Sequence, residues 1–256
     1  MFRPNLLRTS INRLARDTLQ RLLRRAGYKR KPRPYSEFID FKETLQAAAT
    51  AGLSVGEYIE RRHAKGSRTP LDETMDHLAS LGLFNAPMEH VCEIGPGSGR
   101  YLERIKARLQ PQRYEIYETS SEWRNWLLGQ HDVTARACDG RTLSETVSGT
   151  VDLVHAHKVF VGLPALITIS YLREMARIVR NGGWIVFDIM SESCFEPESV
   201  DAWFKAHPWD WPWSPQMIAR DYVINMFAER GVSLEGSFMV PLFPAVAECM
   251  VFRRKP

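Results

Sequence analysis

The sequence predicts an α/β protein: a doubly wound, mostly parallel sheet of seven strands, with a helical extension ahead of it. Three observations carry that expectation. From residue 90 short apolar runs alternate with amphipathic stretches, the rhythm of a parallel sheet covered by helices on both faces. A glycine-rich turn, V-C-E-I-G-P-G-S-G-R at 91–100, follows the first run. The length of 256 residues, 44% hydrophobic and 25% charged, suits one such domain with extensions.

The elements follow in order. Leu7, Ile11, Leu14 and Leu22, joined by Leu19 and Leu23, recur at helical spacing with arginines on the other face. Residues 4–26 therefore read as one amphipathic helix, closed by Gly27. The K-R-K-P-R-P-Y at 29–35 is a linker, because its prolines resist regular structure. Residues 39–50 are helical around an alanine-rich centre. Ser54 is the expected N-cap of a helix at 55–64, with Glu57 at the capping-box position. Thr69 caps the next helix, Pro70 takes its first position, and Gly82 ends it.

Strands are expected at 90–94, 114–118, 133–138, 151–156 and 183–189. Helices are expected at 98–109, 120–128, 142–147 and 166–180, with N-G-G at 181–183 as a helix stop before a strand start. A tryptophan-rich segment at 203–213, a helix at 215–230 and strands at 232–240 and 245–253 complete the chain. The domain reading is a basic helix and linker at 1–33, a helical extension at 34–84, and an α/β domain at 85–256 with an insertion at about 191–230.

The net charge of +4 hides an asymmetry. Residues 1–33 hold eleven Arg and Lys against Asp17 alone, a net of +10, which leaves the rest of the chain at −6. No apolar run reaches the roughly 18–20 residues a bilayer crossing needs. No charged stub with an apolar core and a small-residue cleavage site opens the chain, so secretion is not expected. Cys92, Cys138, Cys194 and Cys249 are far apart in sequence and read as reduced thiols of a cytoplasmic protein.

In doubly wound sheets ligands sit at the carboxyl ends of the strands, and the first strand-to-helix turn comes nearest. Gly95, Gly97 and Gly99 lie on that turn, where only glycine lets the backbone approach so closely. A dinucleotide fingerprint, G-x-G-x-x-G, would need a glycine at Arg100 or Leu102, so both registers fail. No G-K-S/T follows, which excludes a phosphate-cradling loop of that type.

The stretch Glu93-x-Gly95-x-Gly97-x-Gly99 resembles the E-x-G-x-G-x-G signature of class I S-adenosylmethionine-dependent methyltransferases. The second strand, Y-E-I-Y-E-T-S, ends in Glu118, and the third ends A-C-D-G at Asp139 and Gly140. The resemblance covers roughly residues 85–255. It implies a Rossmann-like fold with a reversed C-terminal hairpin and S-adenosyl-L-methionine as cofactor. It also implies a cradle of Glu93, Gly95, Pro96, Gly97, Ser98, Gly99, Glu118, Thr119, Asp139, Gly140 and His155. Glu118 would accept from the ribose hydroxyls and Asp139 from the adenine amino group; the rival for both acids is a capping role. Glu93 either meets the methionine amino group or ties the loop to backbone N–H groups.

The methyl acceptor should lie past the fourth strand. Families that methylate planar amines or amides often carry D/N-P-P-Y/F there, whereas this chain has H-A-H-K-V-F at 155–160. Histidine can take a hydroxyl proton near neutral pH, so O-methylation is expected, with His157 as general base and His155 second. Period-2 alternation puts both on one side of the strand. The rival readings are structural histidines, or paired metal ligands. With no carboxylate cluster nearby in sequence, no metal is expected.

Trp203, Trp209, Trp211 and Trp213 lie in W-F-K-A-H-P-W-D-W-P-W, with His207 and Asp210 among them. Flat aromatic faces suit sugar rings, lipid-like groups or cations, and a packed aromatic knot is the rival. Prolines in the segment argue against a regular helix or strand. Tyr58 and Arg62, ahead of the core, could reach the cofactor or acceptor, or sit on an exposed helix face. The expected partner is thus a small-molecule or glycan acceptor.

The basic helix has four readings: an anionic membrane surface, packing against the body or another subunit, RNA, or organelle targeting. The acidic body argues against nucleic acid. The membrane reading would place the protein peripherally at the inner membrane face. The sequence leaves the oligomeric state open. A non-catalytic protein that keeps the cofactor fold as scaffold is the alternative of another class.

Overall fold

A computed structural model of the chain describes residues 39–63, 69–206, 215–242 and 244–256. The expected basic helix and linker, and Trp209, Trp211, Trp213, His207 and Asp210, lie outside the described residues.

Three helices lead the fold: α1 (Phe41–Ala51), α2 (Val55–His63) and α3 (Pro70–Ser80). Their starts are chemically marked. The Asp40 side chain accepts the Glu43 N–H at 2.8 Å. Ser54 and Glu57 bond each other's backbone N–H groups, and Thr69 and Asp72 do the same at α3, whose first residue is Pro70. Gly52 closes α1 at φ +65°, in the left-handed region.

The sheet then unfolds as β1 (His90–Ile94), α4 (Arg100–Leu109), β2 (Arg113–Tyr117), α5 (Ser121–Gln130), β3 (Thr134–Ala135), β4 (Val151–Ala156), α6 (Ala165–Ile178) and β5 (Val179–Ile189). A 3-10 turn at Glu192–Cys194, α7 (Pro197–Ala206) and α8 (Arg220–Ala228) lead to β6 (Val232–Leu242) and β7 (Ala245–Arg254). The strands stand in the order β3-β2-β1-β4-β5-β7-β6. The first five run parallel; β7 is antiparallel to both β5 and β6. This is the expected seven-stranded sheet with its reversed hairpin.

Strands β1 and β4 are buried along their whole length, as parallel strands covered on both faces should be. Alternation along β5 divides the core: Ile185, Phe187 and Ile189 pack on one face, and Trp184, Val186 and Met190 on the other. The first face meets α6 and α8 through Tyr171, Met175 and Phe227; the second meets α3 and α4 through Leu71, Met75, Leu102 and Ile105. Among the described residues no helix is long and apolar enough to cross a membrane.

Five local expectations are corrected. Residues 142–147 form turns, not a helix. Their carbonyls are captured from outside: Arg177 donates to the oxygens of Leu143 and Thr146. The third strand shrinks to Thr134–Ala135, because the Ala137 N–H leaves the ladder for the Glu145 carboxylate at 3.0 Å. N-G-G at 181–183 lies within β5, where the register against β4 shifts, and does not separate helix from strand. A Cβ at Gly183 would stand 2.8 Å from Val179 and 3.0 Å from two backbone oxygens, so the irregularity requires glycine. Finally, α7 forms where no helix was expected, and carries Trp203. Pro197 at its first position was the available signal. Residues 215–219 stay extended instead of joining α8, with Ile218 donating to the Met190 carbonyl.

Candidate active site

A cleft opens at the carboxyl ends of β1, β2 and β4. Its wall includes Glu93, Gly95, Pro96, Gly97, Ser98, Glu118, Thr119, Gly140 and His157. The fold thus gathers residues from three strand ends and, with Gly140, from the loop after β3, nine of those singled out from the sequence. Asp139, Gly99, His155 and Trp203 are not part of that wall.

The three loop glycines have φ of +62°, +52° and +74°, all in the left-handed region. They answer two different demands. A Cβ at Gly95 would sit 2.7 Å from Val159 Cγ2, and one at Gly99 would sit 2.8 Å from Leu127 Cδ2. Around Gly97 nothing lies within 4 Å of an added Cβ, so the backbone there is bare toward open space. Gly95 and Gly99 permit packing; Gly97 leaves room.

Glu118 directly follows β2. Its carboxylate accepts the Gly97 N–H at 3.0 Å and the Ser120 N–H at 2.8 Å. Burial raises its pKa, and these backbone donors oppose the shift. Glu93 is 2% exposed. It accepts from the Tyr114 hydroxyl at 2.7 Å, and among the described residues no Arg or Lys pairs with it. Burial lifts it to about 8 against the pull of that hydroxyl. Asp139 is committed locally. It accepts the N–H groups of Arg141 at 2.9 Å and Thr142 at 2.7 Å in a local turn, with no helix there for it to cap.

The two histidines separate. Both project from the same side of β4, ring centres 5.4 Å apart. His155 is fully buried behind Glu93, its Nε2 2.9 Å from the Tyr114 hydroxyl oxygen. Burial, then the neighbouring His157, push its basicity well down and keep it neutral. His157 lines the cleft. Its ring stacks on Tyr101 with centroids 4.0 Å apart and planes at 9°. Its Nδ1 stands 3.6 Å from Asp188 Oδ1, and among the described residues neither buried ring nitrogen has a hydrogen-bond partner.

Several wall residues escaped sequence reading. Arg100 and Tyr101 begin the helix behind the glycines; Arg100 pairs with buried Glu60 of α2. Ile39 and Trp123 close one side, the Trp123 indole N–H donating to the Ile39 carbonyl at 2.9 Å. Lys158, Val159, Leu163 and Tyr171 line the side beyond β4. Lys158 takes φ +61°, uncommon for a side chain with a Cβ, with its N–H held by Asp188 Oδ2 at 2.9 Å. Only position after a motif could have flagged Arg100 and Tyr101; nothing local marks the others. Tyr58 packs against the cluster of Ala48, Val55, Ile59 and Trp123. Trp203 is a core residue, 7% exposed.

These residues fit a cationic, hydroxyl-bearing ligand. The loop offers a bare backbone at Gly97, Glu118 offers a carboxylate at the strand end, and Glu93 is a buried acid without a cation.

Comparison with known proteins places this geometry. A methyltransferase-domain family matches residues 60–234. An O-methyltransferase family protein from Burkholderia thailandensis superposes with a TM-score of 0.60 at 15% identity, covering 95% of this chain and 70% of that one. Magnesium protoporphyrin IX methyltransferase from Synechocystis PCC 6803, solved with bound SAH, gives 0.55 at 11% identity, covering 99% of this chain and 100% of that one. The N-methyltransferase NodS from Bradyrhizobium japonicum WM9, in complex with S-adenosyl-l-homocysteine, gives 0.54 at 15%, covering 79% and 100%. At these identities the likeness is one of fold. No curated protein sequence matches.

Proposed function

The chain belongs to the S-adenosylmethionine-dependent methyltransferase family, and from that premise we propose that it methylates a hydroxyl oxygen with His157 as general base. The observation that carries the reading is the placement of His157. It stands in the wall of the cleft, its ring stacked on Tyr101 and beside Asp188, with neither ring nitrogen hydrogen-bonded among the described residues.

Bound S-adenosylmethionine supplies a methyl group carried on a sulfonium centre. The chain supplies the rest. Glu118 and the Gly97 backbone would hold the ribose side of the cleft, and Glu93, which burial keeps protonated while no cation stands beside it, would give up that proton to pair with the ligand's ammonium. His157 takes the acceptor hydroxyl's proton at Nε2, leaving the oxygen as nucleophile. The Tyr101 ring fixes the imidazole plane, so the base needs no reorientation.

The acceptor class we propose is a sugar, glycan or lipid-linked small molecule. The flat faces of Trp209, Trp211 and Trp213 suit such groups. Residues 1–33, with their net charge of +10, would bring the enzyme to an anionic membrane surface where lipid-linked acceptors reside.

The test is His157→Gln, assayed with methyl-labelled S-adenosylmethionine against a cell extract. Affinity for S-adenosylhomocysteine should stay within about threefold, while methyl incorporation falls roughly 10²–10⁴-fold, the usual scale for losing a general base. Full turnover in the variant, or a product methylated on nitrogen, overturns the reading.

A further inference from the structure

Beneath His157 lies a buried polar cluster that the methyl-transfer reading leaves unused. Asp188, from β5, is 1% exposed. It sits in register with Cys249 of β7, and both lie beside the end of β4. One carboxylate oxygen, Oδ2, accepts the Lys158 N–H at 2.9 Å and faces Lys158 Nζ at 4.0 Å. The other, Oδ1, is 3.6 Å from His157 Nδ1 and, among the described residues, has no hydrogen-bond partner of its own.

On this geometry we infer that Asp188 is the positioning residue of the site, holding the proton of neutral His157 on Nδ1 so that Nε2 remains the basic atom. The inference rests on the reading of His157 as base. A buried carboxylate oxygen without a donor calls for one; His157 Nδ1 and the Cys249 thiol both stand beside Asp188, and an imidazole N–H is the stronger donor of the two. The tautomer of a histidine follows the partner of its other nitrogen. Tyr101 on the ring face and Asp188 at the Nδ1 edge together leave one orientation. Asp188 is also fit to stay ionised. Burial pushes its carboxyl up, but Lys158, His157 and the Lys158 N–H outweigh that and hold it at about 2. An ionised carboxylate beside the ring stabilises the imidazolium formed as the proton arrives.

The same groups could be taken for a metal site, since ligand atoms of His157, Asp188 and Cys249 lie within 4.8 Å of one another. Two facts speak against it. Lys158 already places a positive charge beside Asp188, pinned by the Pro241 carbonyl at 2.7 Å. Burial and Asp188 also hold the Cys249 thiol protonated.

The experiment uses the full chain, with S-adenosylhomocysteine as probe of the cofactor site. Long-range 1H–15N spectra of histidine-labelled protein show which ring nitrogen carries the proton, and His157→Gln identifies the signals by their loss. The unaltered protein should show His157 protonated at Nδ1. In Asp188→Asn the proton should move toward Nε2, S-adenosylhomocysteine affinity should change less than about threefold, and kcat should fall roughly 10²–10⁴-fold with KM nearly constant. A proton on Nε2 in the unaltered protein overturns the inference even where Asp188→Asn does not fold. Stoichiometric Zn²⁺ uptake that shifts the His157 signals overturns it in favour of a metal site. If methylation survives His157→Gln, the base reading itself falls. If methylation needs His157 while the proton sits on Nε2, only the role of Asp188 falls.

Discussion

The Glu118 carboxylate accepts the backbone N–H of Gly97 at 3.0 Å, tying the end of β2 to the glycine loop that follows β1. One side chain thereby sets the loop's position and presents its remaining lone pairs to the cleft. Glu118→Ala removes both functions. Calorimetry with S-adenosylmethionine should show an affinity loss of at least about tenfold, the scale of a charge-assisted hydrogen bond. Unchanged affinity would detach Glu118 from the ligand and leave it as a cap for the Ser120 N–H.

Gly95 and Gly97 differ in what a methyl group would meet, and that predicts opposite defects. Both have positive φ, so alanine costs about 1–2 kcal/mol at either. Gly95→Ala adds a clash with Val159 at 2.7 Å and should lower the melting temperature more. Gly97→Ala meets no protein atom within 4 Å, so its methyl enters the open space of the cleft. It should keep most of its stability and lose cofactor affinity by more than about tenfold. Normal binding by Gly97→Ala would mean the ligand does not approach there.

Glu93 makes folding depend on pH. Its carboxyl, lifted by burial to about 8, holds its proton more tightly than a glutamate of the unfolded chain near 4.5. Between those values the unfolded state binds fewer protons, so this group's stabilisation is lost as pH rises, by at most about 1.4 kcal/mol per pH unit. Neutral buried His155 acts in the opposite direction below its ordinary 6.5. The comparison with Glu93→Gln, whose side chain stays neutral, isolates the effect. Urea denaturation from pH 5 to 8 should show a less negative slope in the variant; identical slopes would refute an elevated Glu93.

Residues 1–33 carry a net +10 on a chain whose remainder is −6. Full-length protein should sediment with vesicles containing phosphatidylserine, and release with salt over a few hundred millimolar. The chain lacking 1–33 should stay in the supernatant. Sedimentation that persists without the arm, or never occurs with it, removes the membrane reading.

Much of the site was legible because its signals are local. A capping box, a proline at a helix start and a glycine at positive φ each report on a few neighbouring residues. Ser54 with Glu57, Thr69 with Asp72, and Gly95, Gly97 and Gly99 therefore behave as their spacing suggests. The strands β1 and β4 fall where the apolar runs place them, since both are buried along their whole length and their polar residues, His90, Glu93, Asp152 and His155, are buried with them. Residues 142–147 misled because Arg177, distant in sequence, takes the carbonyls a helix would have used. Nothing near Trp123 hints that its indole reaches back to Ile39.

The histidines mark the limit most clearly. Alternation along one strand puts His155 and His157 on the same side, and the sequence by itself determined that much, together with the glycine turn, the acidic strand ends and the order of elements. Which histidine faces the cleft, and which is sealed behind Glu93 and Tyr114, only the tertiary structure decided. So too with Asp188 and Cys249, which meet His157 through the register of β4, β5 and β7. Local chemistry acts over a few residues of chain, whereas the sharing of a buried volume is set by how distant strands align. That alignment is a property of the whole packed core, and no single stretch of sequence contains it.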